Sequence, residues 1–117
     1  MKTIGEIRAE RRLPTVIADH QGIIREVNDS FTTVFGWTRE EIVGKRLEVI
    51  IPPKLRDMHR LGFSRFLRTG TPTILGQPLQ LRAIAKGGHE FRARHEIVAE
   101  RINGNWMFAA SIERLES

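Results

Sequence analysis

The apolar residues of this chain change period several times, and each change marks an element. From Pro14 the spacing is two: Val16-Ile17-Ala18 and Ile23-Ile24-Arg25-Glu26-Val27 read as antiparallel strands. Between them, Asp19-His20-Gln21-Gly22 has the chemistry of a hairpin turn, with Asp at its first position and Gly at its last. The spacing then lengthens. Phe31, Val34 and Phe35 recur as on a helix, preceded by the capping run Asn28-Asp29-Ser30 and stopped by Gly36. Thr38-Arg39-Glu40-Glu41 is a capping box that opens a second short helix, ending at Gly44. A third short apolar segment, Leu47 to Ile51, is closed by Pro52-Pro53.

Residues 52 to 70 form the longest periodic stretch. Leu55, Met58, His59, Gly62, Phe63, Phe66 and Leu67 follow the spacing of a helix with one buried stripe. At about 100° per residue, His59 and Phe66 fall near its middle, whereas Asp57, Arg60, Ser64 and Arg68 lie opposite. A titratable imidazole is thereby aimed inward. The prolines suit a helix start and Gly70 a left-handed end.

Strand spacing returns afterwards. Residues 74 to 85 alternate weakly and are broken by Pro78, which suits an edge or a bulge. Lys86-Gly87-Gly88-His89 is a turn, and Phe91 to Arg101 is a long strand with Phe91, Ala93, His95, Ile97 and Ala99 on one face. Asn103-Gly104 is the strongest hairpin signal, after which Trp106, Phe108, Ala110 and Ile112 share a face. Residues 1 to 12 read as an N-terminal helix or connector. With only Ile4, Ile7 and Arg11 on its stripe, it is expected to pack on a partner, as in a dimer contact, or to fray. Residues 13 to 117 then form one α+β domain, its sheet packed against the helical segment. The space between the His59 stripe and the strands is the expected cavity.

Composition narrows the chemistry. A chain of 117 residues with 40% hydrophobic and 28% charged residues suits one globular domain. It lacks the roughly 20-residue apolar run of a membrane span and the apolar core of a signal peptide, so the expectation is a cytosolic protein without membrane contact. There is no cysteine, which removes thiol nucleophiles, thiolate metal sites and cysteinyl adducts. Net charge is +5, and Lys54 to Arg68 holds five basic residues against Asp57 alone. No aromatic platforms interleave with those charges, so a solvated helix face is preferred to a nucleic-acid surface. No catalytic order of Ser, His and Asp, carboxylate pair or metal-ligand spacing stands out, and an enzyme is not expected.

The run from Asp19 through Asn28, Phe31, Phe35-Gly36-Trp37 and Glu40-Glu41-Ile42-Val43-Gly44 resembles the opening half of a PAS domain. Ile51-Pro52-Pro53 through Gly70, and Lys86-Gly87-Gly88-His89-Glu90-Phe91, continue that resemblance over roughly residues 14 to 113. It implies a PAS fold: a five-stranded antiparallel sheet with helices packed on one face. It also implies a sensory input module that binds a small ligand between sheet and long helix and dimerises. Such a module passes its signal to a kinase, cyclase or regulator domain in the same or another chain, as in two-component systems. His59, His95, Met58, Phe63, Phe66 and Leu79 are the candidate ligand-binding residues. Photosensors of the light-oxygen-voltage and coumarate types need a cysteine that is absent here. Arg56-Asp57-Met58-His59, with Phe63 and Phe66, is similar to haem-binding PAS oxygen sensors, which makes His59 the candidate axial ligand if haem is the cofactor. The distal arginine of those sensors has no match at Leu79, and Arg82 is displaced by three residues. The aspartate, aliphatic and threonine exit of many family members is replaced by Ile112-Glu113-Arg114-Leu115. With no output motif in the sequence, the expectation is an excised sensor module or a stand-alone PAS protein.

Overall fold

The computed structural model describes residues 3–70 and 79–115. Five antiparallel strands form one sheet in the order β2-β1-β5-β4-β3: β1 (Thr15–Ala18), β2 (Ile24–Val27), β3 (Leu79–Ile84), β4 (Glu90–Ile102) and β5 (Asn105–Arg114). The part of the expected 74–85 strand before Leu79, Pro78 included, lies outside the described residues. β3 is indeed an edge strand. The Asn103-Gly104 turn that joins β4 to β5 places both residues at positive φ, 53° and 83°, as a two-residue hairpin demands.

Between β2 and β3 run α2 (Asp29–Phe35), α3 (Arg39–Ile42), 3-10 turns at Leu47–Ile50 and Pro53–Leu55, and α4 (Arg56–Thr69). The predicted caps form. In the capping box of α3, the Thr38 hydroxyl accepts the Glu41 N–H and the Glu41 carboxylate accepts the Thr38 N–H. Lys86 also bonds that carboxylate, and this, with the Thr38 N–H, pushes the Glu41 pKa down to about 2. Gly36 and Gly70 end α2 and α4 in the left-handed region.

The main core lies between the inward sheet face and α2, α3 and the first 3-10 turn. Val16, Ala83, Phe91, Ala93, Ala110 and Ile112 meet Phe31, Phe35, Ile42 and Ile50 there. Phe31 stacks on Phe35 at 4.4 Å, and Phe35 meets Phe91 edge-on at 5.4 Å.

The helices after β2 occupy one sheet face, as expected, but α1 (Ile4–Ala9) covers the other. Its stripe neither frays nor waits for a partner. Ile4 and Ile7 are buried against Ile17, Val98, Ala109 and Met107. Burying each isoleucine contributes roughly 2 kcal/mol. Arg8 adds a two-pronged pair with Glu26, and a Thr3–Glu6 capping box closes the first turn. Arg11 lies beyond the helix. A thin stripe suffices because alternation along β1, β4 and β5 leaves a narrow apolar strip on the outer face, matched to two side chains.

Candidate functional site

The β1–β2 turn is built on Asp19. Its carboxylate accepts the N–H groups of Gln21 (2.9 Å) and Ile23 (3.0 Å) and the Arg25 Nε (2.8 Å), while its carbonyl accepts the Gly22 N–H. Burial alone would raise the Asp19 pKa, but these donors outweigh it and hold the carboxyl below its usual range. Gly22 sits at φ +76°, and a Cβ there would come 3.6 Å from the Phe63 ring of α4. The turn therefore backs directly onto the long helix.

The segment before the first 3-10 turn is pinned to the same place. Ile24 N–H donates to the Lys45 carbonyl, Leu47 N–H donates to the Gly22 carbonyl, and Ile23 bridges to Arg46. From the other side, Arg56 Nε donates to the Glu48 and Ile51 carbonyls, and Arg60 pairs with the Glu48 carboxylate. The start of α4 is thus tied to the 3-10 turn by two guanidiniums.

These three elements enclose a groove of about 700 Å³, lined by His20, Gln21 and Gly22 from the turn, Arg46, Leu47 and Glu48, and His59, Arg60, Phe63, Ser64 and Leu67 of α4. His59 and Phe63 are thus where the sequence placed them, on a wall of a cavity. This groove lies on the side of α4 that faces the β1–β2 turn. Phe63 packs on Phe108 (4.9 Å between rings), and Phe66 packs on Phe108 (5.3 Å) and Trp106 (4.8 Å). Aromatic rings occupy the space between these turns of α4 and β5, and the groove opens toward the β1–β2 turn instead.

The other candidates separate. Phe66 is buried in the aromatic contact and is the single buried residue of α4. Met58 is 72% exposed, a correction to the predicted stripe. It sits about 100° round the helix from His59, and the inward face, centred on His59, Phe63 and Phe66, is narrower than the apolar spacing implied. His95 does face inward, between Leu79 on β3 and Ile112 on β5, but neither it nor Leu79 lines the groove. The turn residues His20, Gln21 and Gly22 and the segment Arg46, Leu47 and Glu48 were missed as lining residues, and Arg60 and Ser64, placed opposite His59 by their spacing, line the groove as well. A glutamate inside the apolar run Leu47–Ile51 was the one available signal.

Both inward histidines have a buried Nδ1 without a hydrogen-bond partner. Burial pushes the His59 pKa below 6.5, with the Glu48 carboxylate opposing it and Arg60 reinforcing it. Burial does the same to His95, partly offset by the Ala93 backbone. The unfolded chain then binds protons at a higher pH than the folded one. Stability is full above pH 6.5 and falls as the pH drops toward the folded values. Urea titrations at pH 7.5 and 5.5 are expected to show that loss, and the double variant His59→Leu/His95→Leu is expected to shrink it. An unchanged loss in the variant would mean that other groups titrate.

The residues around His59 fit an iron porphyrin poorly. A metal-bound histidine ordinarily donates its second ring N–H to an oriented acceptor, and the buried Nδ1 has none. Arg82, displaced along the sequence, pairs with Glu90 and follows the outward alternation of β3, away from the face that Ala83 buries. Among the described residues no cluster of three His, Asp or Glu could hold a metal ion, and no helix is long and apolar enough to cross a membrane.

The sheet order and the helical run over one face agree with what comparison shows. Residues 12–88 match the PAS fold, and the chain belongs to the PAS family. An uncharacterized protein of Azorhizobium caulinodans is 35% identical over 98 residues, 83% of this chain and 13% of that protein. The sensor protein FixL of Bradyrhizobium diazoefficiens is 30% identical over 61 residues, 52% of this chain and 12% of that protein. The chain therefore spans a small part of these relatives. Among solved structures, a PAS domain from Desulfitobacterium hafniense superposes with a TM-score of 0.68 at 17% identity, covering 88% of this chain and 92% of that one.

Proposed function

We propose that this chain is a sensory input module, not an enzyme, that binds a small molecule in the groove between α4, the Arg46–Glu48 segment and the β1–β2 turn. The observation that carries this reading is the groove itself: about 700 Å³ beside an aromatic ring and a half-buried imidazole whose Nδ1 has no hydrogen-bond partner. The likeness to a sensor protein supports a role in signal transduction. In the same reading the module works as a cytoplasmic homodimer and passes its state to a kinase, cyclase or regulator domain. Because Arg60 lines the groove and ties α4 to Glu48, a ligand that displaced its guanidinium would move the helix, and that movement is the signal.

Thermal-shift screening against metabolites below about 300 Da, a size such a groove can enclose, tests the site. At least one compound is expected to raise the melting temperature of the native chain and not that of Ser64→Trp, whose indole fills the groove. Shifts of equal size in both proteins would place the site elsewhere. Haemin is included in the screen, and a Soret band lost in His59→Ala would replace this reading with a haem sensor.

A further inference from the structure

The lining of the groove carries more cationic than anionic side chains. Two guanidiniums, Arg46 and Arg60, line it against one carboxylate, Glu48. That carboxylate is already committed, since Arg60 donates to it through Nε and Nη2 and turns its Nη1 to Asp57. The exposed Arg46 side chain makes no direct hydrogen bond or salt bridge among the described residues and acts on Glu48 only through space. Its backbone, in contrast, is fixed by the bridge to Ile23 and by the flanking bonds Ile24 to Lys45 and Leu47 to Gly22. A cation is thus held at the lining with only its side-chain torsions left to settle. Leu47, Phe63 and Leu67 supply apolar walls to the same groove.

We infer that the groove selects a small organic monoanion: a flat apolar body against Leu47, Phe63 and Leu67, with a carboxylate-type headgroup paired to Arg46. This rests on the reading of the groove as the ligand site. The planar guanidinium matches two oxygens of such a headgroup through parallel N–H donors. One guanidinium without a direct partner suits a single negative charge, whereas a cationic ligand would leave Arg46 opposed by a like charge. A phosphate dianion would carry more charge than the groove can neutralise.

Two fluorescent probes isolate the charge: 8-anilinonaphthalene-1-sulfonate and N-phenyl-1-naphthylamine, which share an aromatic body and differ in the sulfonate. The anionic probe is expected to bind the native chain more tightly. Arg46→Glu is expected to weaken it by about tenfold, the size of one charge-assisted pair, and to leave the neutral probe nearly unchanged. Ser64→Trp is expected to block both. Equal affinities, with Arg46→Glu affecting neither probe, would overturn the charge selection and leave the groove as the site. Binding of both probes unaffected by Ser64→Trp would overturn the groove reading as well. Arg46→Gln, a neutral side chain on the same pinned backbone, repeats the test if the glutamate variant is poorly folded.

Discussion

Asn28→Ala is expected to lower the unfolding free energy by about 3 kcal/mol, because one side chain holds three segments together. Its Oδ1 accepts the Phe31 N–H at the start of α2 and the Thr15 N–H at the start of β1, both at 2.9 Å. Its Nδ2 donates to the carbonyls of Glu10 (3.1 Å) and Leu13 (2.8 Å) in the connector from α1. Alanine removes a helix cap and leaves a strand N–H and two carbonyls without this partner. Asn28→Asp is the informative control. It keeps both acceptor bonds but turns a carboxylate toward two carbonyl oxygens, so it is expected to recover only part of the loss. Urea denaturation of the three proteins measures this, and an aspartate variant as stable as the native chain would show that the connector bonds contribute nothing.

Phe35→Ala is expected to cost about 4 kcal/mol, the middle of the range for truncating a fully buried aromatic. The ring is 0% exposed, stacks on Phe31 and meets Phe91 on the facing strand β4, so its removal leaves a cavity walled by rigid rings. The Phe35 carbonyl also accepts the Lys86 N–H at 2.8 Å, joining the end of α2 to the β3–β4 turn. Phe35→Leu, which retains most of the volume, is expected to lose less than half as much. Equal losses in the two variants would indicate that ring stacking, rather than volume, decides the position.

Asn28 also shows how far sequence reasoning reaches. Its capping role was legible from the residues after it, because a cap bonds to an N–H three positions away. Its bonds to Thr15, Glu10 and Leu13 were not, since they join residues 13 to 18 positions distant. The site divides in the same way. His59, Phe63 and Phe66 could be placed on one helix face from their spacing, but Met58 could not be excluded. Helical periodicity says which residues share a face and not how wide the contact beneath them is.

By itself the sequence determined the order and kind of elements, the caps at Asn28, Thr38, Gly36 and Gly70, the hairpin turns, the inward alternation of β4 and β5, and the family. All of these are written in interactions a few residues long. The tertiary structure alone decided that α1 closes the outer face of the sheet and that Phe63 and Phe66 fill the space above Phe108. It also decided that the groove lies beside Arg46 and Glu48. Those outcomes depend on which side chains meet from segments distant in sequence and on how much volume they fill, and no local pattern records either.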